Sequence, residues 1–200
     1  MGAGLSCKLA SLNDLLEMCA PSLLLTVGSR RLRVGRLLGE GGYAYVYAAT
    51  DAATGRQYAL KKMRCPDSER LANARREIAA LRRCRHAAIL PLVAAEVVDE
   101  ATGGGQTAPC KVAYLLFELW EEGTLYERLE QLDGRAEWLP AALSVAVLLQ
   151  VAEALESMHA LSPPMAHYDV KPHNVLVAGL SDAALAARRA AAAAAARADG

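Results

Sequence analysis

The most constraining feature of this 200-residue sequence is a change of hydrophobic period along the chain. Short extended segments lie between residues 22 and 120, and one helical segment, 68–85, interrupts them. Ser68 is predicted to cap that helix, whose apolar residues recur at helical spacing: Leu71, Ala74, Ile78 and Leu81. Helical patterns follow at 124–132 and 139–160. Five strands with one helix, followed by helices, predict an α+β fold with an antiparallel sheet and two lobes.

Composition indicates which partners and which cell compartment the sequence favours. The chain has 22 Lys+Arg and 22 Asp+Glu, so its formal net charge is zero and favours neither a nucleic-acid nor an acidic partner. Its five cysteines show no metal-ligand spacing and are typical of reduced thiols in an intracellular protein. No run of 18 apolar residues occurs, and the sequence therefore predicts no transmembrane helix.

The N-terminal sequence MGAGLSC fits the N-myristoylation pattern, with Gly2 as the acceptor and Ser6 at the hydroxyl position. One myristoyl chain holds a protein on a bilayer only marginally, whereas a second acyl chain on Cys7 would make anchoring stable. Lys8 and four nearby arginines would add attraction to anionic lipid. These arginines are Arg30, Arg31, Arg33 and Arg36. The alternative is a chance match with the arginines on a solvated strand face.

A glycine-rich segment, GEGGYAYV at 39–46, joins two predicted strands. It meets the pattern G-x-G-x-x-G-x-V at Gly39, Gly41 and Val46, with Ala44 at the third glycine position. Glycine allows backbone N–H groups to approach phosphate oxygens, because no side chain intervenes. Taken alone, such a segment is more often a turn than a phosphate clamp.

Two charged residues follow the glycine-rich segment at informative distances. Lys61 lies fifteen residues after Val46, in YALK on the next strand, and Glu77 lies in the predicted helix beyond it. A carboxylate at that place would pair with the lysine and hold it against the α- and β-phosphates of a nucleotide. The alternative is a solvated lysine and a surface carboxylate on an arginine-rich helix.

The segment AHYDVKPHNVLV directly follows the long helix 139–160. His167, Asp169, Lys171 and Asn174 fit H-x-D-x-K-x-x-N. Asp169 would orient an attacking hydroxyl and accept its proton, Lys171 would neutralise the transferring γ-phosphoryl, and Asn174 would hold magnesium. His167 is more typical of a residue that packs the loop. The helix before it is predicted to bury Val145, Val147, Leu148, Val151, Leu155 and Met158.

Together these motifs resemble a eukaryotic protein serine/threonine kinase, with matches from about Arg31 to Val177. Lys171, two residues after Asp169, resembles the serine/threonine rather than the tyrosine branch. LGEGGYAYVY and the acylation-type N-terminus are similar to the numb-associated kinase family, in particular to its myristoylated and palmitoylated member on Golgi and other endomembranes.

The resemblance implies a kinase-like fold with helix αC on a five-stranded N-lobe and a partial helical C-lobe. It implies ATP and Mg2+ as cofactors, protein serine and threonine hydroxyls as acceptors, and a cytoplasmic location on Golgi, other endomembranes or the plasma membrane. Phe117 would be the gatekeeper, and Glu118 to Trp120 the hinge that meets adenine. The other nucleotide-binding residues would be Leu38, Gly39, Gly41, Gly42, Val46, Ala59, Lys61, Glu77 and Leu176.

The resemblance also divides the chain into four parts. These are an acylated segment (1–21), the N-lobe and hinge (22–122), a partial C-lobe (123–180) and an alanine-rich tail (181–200).

Three departures from the kinase pattern stand out. Tyr168 replaces the arginine of H-R-D, which casts doubt on activation through a phosphorylated activation loop. No D-F-G follows Asn174, since Asp182 has neither a flanking apolar strand nor a following glycine. No A-P-E or large lower-lobe helix follows either. The sequence therefore predicts roughly the first half to two-thirds of a kinase domain.

Three interpretations remain open at this point. The chain is an incomplete version of an active, membrane-anchored kinase, or a truncated pseudokinase that acts as a binding module. A third possibility is a small-molecule phosphotransferase with a similar loop, and Lys171 followed by Pro172 argues against it. The residues that favour the first interpretation are Lys61, Glu77, Asp169, Lys171 and Asn174.

Overall fold

The computed structural model describes residues 24–42, 44–99, 110–181 and 183–185, which fall into two compact units. The first unit contains the chain up to Leu81 together with Leu92–Leu119. The second contains Arg82–Pro91 and the chain from Trp120 onward. The predicted acylated segment and most of the predicted alanine-rich tail lie outside the described residues.

The first unit is built on a six-stranded antiparallel sheet, which confirms the predicted α+β class. Its strands are β1 (Leu24–Val27), β2 (Arg30–Gly41), β3 (Ala44–Asp51), β4 (Gln57–Cys65), β5 (Leu92–Asp99) and β6 (Lys111–Glu118). They lie in the order β1-β2-β3-β4-β6-β5. The predicted count of five strands is one short, because the short strand β1 pairs with the start of β2 and adds an edge.

One face of this sheet encloses an apolar cluster. Its buried members are Val27, Leu32, Ala49, Tyr58, Leu60 and Leu116. The turn after β1 lies next to β5, so the sheet curls around these residues. There the backbone N–H of Gly28 donates to Glu96 Oε2 at 2.9 Å. Gly28 has φ +61, a conformation that glycine adopts without strain. Each fully buried leucine or valine stabilises this arrangement by about 1.5–3 kcal/mol.

The opposite face of the sheet is covered in part by helix α1 (Ser68–Arg83). Ala74 and Ile78 of the helix pack against buried residues of the strands, including Leu115 of β6. The helix is capped by Asp67, whose Oδ1 accepts the backbone N–H of Arg70 at 2.7 Å. The prediction that Ser68 is the cap was therefore wrong by one residue, because Ser68 already lies inside the helix.

Within the described residues, the second unit has two complete α-helices and a short 3-10 helix, and residues 183–185 are helical as well. The complete helices are α2 (Leu125–Asp133), α3 (Ala141–His159) and the 3-10 helix Pro172–Asn174. A reciprocal pair of hydrogen bonds between Thr124 and Glu127 caps α2. The unit has its own apolar cluster, formed by Leu132, Val177, Leu180 and Leu185.

Helix α3 is apolar on more than one side. Of the six residues predicted to be buried, Met158 is buried, whereas Val145 and Leu148 are 53% and 68% exposed. Leu149 next to them is also exposed. A helix that is apolar around much of its circumference has no single face that the sequence can identify as the buried one. Contrary to the sequence-based expectation, its length and composition would also allow it to cross a membrane, although core helices share these properties.

Replacing both Leu148 and Leu149 with glutamate should raise solubility and change the free energy of unfolding by no more than about 0.5 kcal/mol. Both side chains are exposed, so the charges meet water. Light scattering and thermal unfolding measure the two quantities. Met158→Glu is the control and should unfold the second unit, because it buries a charge. A double variant as unstable as Met158→Glu would show that this side of α3 is buried.

Candidate active-site residues

Lys61 and Glu77 form an ion pair within the first unit. Lys61 Nζ donates to Glu77 Oε1 at 2.7 Å, and the two side chains are 28% and 35% exposed. Lys61 lies on β4, and Glu77 lies on α1 one residue before the buried Ile78. Partial burial restricts both side chains, so the ammonium group is held at one point above the sheet.

The strand register gathers several predicted nucleotide-binding residues on the face that carries Lys61. Val46 is paired with both Gly39 and Lys61, and Ala59 is paired with Phe117. Residues paired across antiparallel strands project to the same face of a sheet. Phe117 packs against the cluster under α1. The structure therefore places five of the predicted residues on one side of the sheet.

Neither the backbone conformation nor the packing of the glycine-rich segment requires glycine at these positions. None of Gly39, Gly41 and Gly42 has a positive φ. A Cβ atom built at Gly39 or Gly42 would meet no atom within 4 Å, and at Gly41 the nearest atom is the carbonyl oxygen of Ala44 at 3.7 Å. Neither backbone strain nor packing explains the glycines. Open space beside the backbone N–H groups suits the approach of an anionic ligand.

The predicted hinge residues and the remaining predicted nucleotide-binding residues have other surroundings than the five residues on the Lys61 face. The Glu118 carboxylate pairs with the Arg56 guanidinium, which lies 5.7 Å from the centre of the Tyr58 ring. This pairing leaves only the backbone of Glu118 for the hinge role. Leu38, on β2, is half-buried. In the second unit, Trp120 and Leu176 are partly exposed.

Asp169, Lys171 and Asn174 form a connected cluster in the second unit. Asn174 Nδ2 donates to the carbonyl oxygen and to Oδ2 of Asp169, both at 2.8 Å. Lys171 Nζ lies 3.0 Å from Asp169 Oδ1. The hydrogen bonds from Lys171 and then Asn174 lower the pKa of Asp169. A carboxylate in this state is ionised at neutral pH, so it can orient a hydroxyl group but is a weak proton acceptor.

The backbone before Asp169 is bent sharply. Tyr168 has φ +62, and its side chain is 96% exposed. This left-handed conformation costs a non-glycine residue about 1–2 kcal/mol. His167 Nδ1 accepts the backbone N–H of Asp169 at 3.3 Å, so the histidine serves loop structure, as its position in the sequence suggested. The positive φ and the hydrogen bond both lie directly before the Asp169 side chain, which is held by Asn174 and Lys171.

A magnesium site is not complete within the described residues. The part of the chain that the structure describes holds no group of three or more His, Cys, Asp or Glu side chains arranged for a metal ion. Asn174 uses its amide nitrogen on Asp169, which leaves its Oδ1 as one neutral ligand. Magnesium in proteins is usually bound through one or two carboxylates together with phosphate oxygens. The residues present therefore do not fit a magnesium site on their own.

Glu122 is a structural residue that the sequence did not reveal. Its Oε1 accepts the backbone N–H of Gly179 at 2.9 Å, and its Oε2 accepts that of Leu180 at 2.8 Å. These hydrogen bonds, that of Gly179 first, lower the pKa of Glu122. The residues lie 57 and 58 positions apart, and no periodic pattern links them.

Backbone hydrogen bonds next to the Glu122 contacts hold the end of the segment 166–177. The N–H of Leu125 donates to Val175 O at 2.7 Å, and the N–H of Val177 donates to Gly123 O at 3.1 Å. The rings of Tyr126 and His173 also stack, with their centres 3.7 Å apart. The start of α2 thus contacts the residue before Asn174 and the residue after it. In the sequence, His173 lies between Lys171 and Asn174, but the sequence does not indicate that its ring partner is on α2.

Comparisons with known proteins agree with this geometry. Residues 32–186 match the family model described as "Protein kinase domain". The chain is 30% identical over 172 residues to a probable serine/threonine-protein kinase of Dictyostelium discoideum, covering 82% of the chain and 45% of the relative. It is 30% identical over 160 residues to serine/threonine-protein kinase 16 of Mus musculus, covering 80% and 49%. The chain thus spans about half the length of these relatives.

Glu122→Gln should lower the melting temperature at pH 7 by about 2–4 °C, because charge-assisted hydrogen bonds worth about 1 kcal/mol are weakened. The folded-state pKa of Glu122 lies below its ordinary value, so its contribution is full above the unfolded-state pKa and is lost as the pH falls through the folded-state pKa. The difference between wild type and variant should therefore disappear in acid. Thermal melts across a pH series measure it.

The matched control for this experiment is Glu121→Gln, an exposed neighbouring carboxylate. It should leave the melting temperature unchanged at every pH. An equal loss in both variants, or a loss in Glu122→Gln that persists unchanged in acid, would contradict the assigned role.

Proposed function

The chain belongs to the protein kinase domain family, and from this membership we propose that it carries the phosphate-anchoring and catalytic-loop elements of an ATP-dependent protein serine/threonine kinase. The observation that supports this most strongly is the Lys61–Glu77 ion pair. An exposed lysine and glutamate would gain little from pairing. A half-buried pair on the face that also carries Gly39 and Val46 suits the fixed positive charge that a polyphosphate requires.

Each polar residue has a role that its contacts support. Lys61 would bind phosphate oxygens, and Glu77 would keep its ammonium group in position. Asp169, ionised and held by Asn174, would orient the acceptor hydroxyl. Lys171 already stands beside Asp169 and would balance negative charge at the reacting group. ATP would supply the phosphoryl group.

We propose serine and threonine as the acceptors. Lys171 follows Asp169 by two residues, as in the serine/threonine branch, and the relatives carry the name serine/threonine-protein kinase. Within the kinases, the numb-associated family remains our proposal on the basis of LGEGGYAYVY and the N-terminal pattern. Acylation at Gly2 and Cys7 would place the protein on Golgi, other endomembranes or the plasma membrane. Both residues lie outside the described part of the chain.

A second candidate function is a non-catalytic, kinase-like binding module. The observation in its favour is the incomplete set of magnesium ligands within the described residues. Against it stands the connected cluster of Asp169, Lys171 and Asn174, which a binding module would not require.

Lys61→Met should weaken the binding of a fluorescent ATP analogue to the 200-residue chain about tenfold or more, because a charge-assisted phosphate contact is lost. Fluorescence titration measures the affinity. The matched control is Lys62→Met, which removes an equal charge from the opposite face of β4. Equal losses in both variants would show that general charge, rather than the position of Lys61, governs binding.

Phosphoryl transfer separates the two candidate functions. The 200-residue chain alone is expected to show no measurable transfer, and turnover that disappears in Asp169→Asn would overturn this expectation. In a form extended through D-F-G and a lower lobe, Lys61→Met should lower kcat/KM at least ~100-fold, or ~3 kcal/mol. Serine-, threonine- and tyrosine-containing peptides test the acceptor class. An inactive extended form would favour the binding module.

Mass spectrometry of the N-terminal peptide from a native extract tests the proposed anchor. A myristoyl group on Gly2 and a palmitoyl group on Cys7 are expected, with the second group lost on treatment with hydroxylamine. Gly2→Ala, which blocks N-myristoylation, is the control and should leave the protein in the soluble fraction. An unmodified Gly2 in the native protein would end the acylation proposal.

A further inference from the structure

The four arginines near the start of β2 differ in their surroundings. Arg30 Nη1 lies 3.2 Å from Asp51 Oδ2, and its guanidinium carbon stands 5.2 Å from the centre of the Tyr58 ring. Asp51 is buried and also accepts the backbone N–H groups of Ala53 and Thr54. Arg30 therefore takes part in the internal contacts of the sheet, with its guanidinium paired to a buried carboxylate.

Arg31 and Arg33 are both exposed and lie on the same side of β2. They alternate with the fully buried Leu32, so both side chains leave the sheet on the face opposite the enclosed apolar cluster. Within the described part of the chain, neither guanidinium has a carboxylate partner. The residues paired with them across β1 and β3 are uncharged: Thr26, Leu24 and Thr50. Among the described residues, no carboxylate therefore neutralises these two adjacent positive charges.

An exposed apolar side chain completes this surface. Leu24 is paired with Arg33 and is 53% exposed. We call Leu24, Arg31 and Arg33 the basic strand face. Arginine beside an exposed leucine suits the interfacial layer of a membrane, where the charge meets lipid phosphates and the apolar group enters the acyl boundary.

We propose that the basic strand face binds the surface of a bilayer that contains anionic lipid. This inference rests in part on the proposed membrane anchoring, since one acyl chain holds a protein only marginally and basic residues near the surface supply a second signal. β1 begins at Leu24, 22 residues after Gly2, so an anchored N-terminus would keep this face close to the bilayer. The zero net charge of the chain makes a local patch, rather than bulk charge, the source of attraction.

The test uses the 200-residue chain produced without acylation, so that it is independent of the lipid anchor. Sedimentation with vesicles of equal parts phosphatidylcholine and phosphatidylserine is compared with vesicles of phosphatidylcholine alone. Binding is expected only to the anionic vesicles and should weaken as salt is added. The double variant Arg31→Gln/Arg33→Gln should bind them about 10- to 30-fold more weakly, on the scale of two surface charges. Leu24→Ser should weaken binding further.

The matched control is Arg75→Gln/Arg82→Gln, which removes the same charge from exposed positions of α1. It should bind the anionic vesicles like the wild type, and thermal melts should show that all variants remain folded. Equal weakening in both double variants would overturn the proposal, because net charge would then explain binding. No binding to anionic vesicles would overturn it as well. Competition by inorganic phosphate beyond that of sodium chloride at equal ionic strength would indicate a phosphate site instead of a bilayer surface.

Each outcome is separable from the proposed kinase function and from acylation. ATP-analogue binding depends on Lys61, whereas the basic strand face depends on Arg31 and Arg33. Acylation is read from the mass of the native N-terminal peptide. If the native protein proves to be acylated but the chain produced without acylation fails to bind anionic vesicles, this inference alone is contradicted.

Discussion

The antiparallel register of β3, β4 and β6 decides which side chains of the first unit meet. Because side chains alternate along a strand, a slip of one residue would move Lys61 to the opposite face and replace it with Leu60 or Lys62. The register is fixed by burial on both faces of the sheet, with Leu60 and Leu116 on one side and Leu115 on the other. Apolar packing thus positions the charged pair and defines the face that carries it.

Helix α1 supplies the second half of that arrangement. It is anchored by Ala74 and Ile78 against the sheet, and Glu77 lies between these two positions at the edge of the contact. The ion pair is only partly buried, so its own contribution to stability is small compared with that of the packed residues. The ion pair instead restricts the position of the ammonium group. A lysine paired with a carboxylate keeps one position, whereas a free lysine side chain samples many rotamers.

The second unit fixes its polar cluster by different means. The loop that carries Asp169 and Asn174 has few buried side chains. Backbone hydrogen bonds to the start of α2 hold its end in place, and Glu122 holds the residues that follow it. Asn174 and Lys171 then hold the Asp169 carboxylate and favour its ionised form. The left-handed Tyr168 shows that this loop stores backbone strain, which surrounding contacts must offset. Exposed and strained loops of this kind are common where chemistry takes place.

The sequence by itself determined the elements and the motifs. The change of hydrophobic period predicted the α+β class, and motif spacing identified Lys61, Glu77, Asp169, Lys171 and Asn174, because periodicity and short motifs are local properties. Only the tertiary structure decided which side of α3 is buried, since that helix is apolar on several sides. It also decided that Arg30 pairs with the buried Asp51, whereas Arg31 has no carboxylate partner in the part of the chain that the structure describes, and that Glu122 binds the backbone of Gly179. Such contacts depend on distant segments meeting in space, and no residue pattern along the chain encodes their pairing.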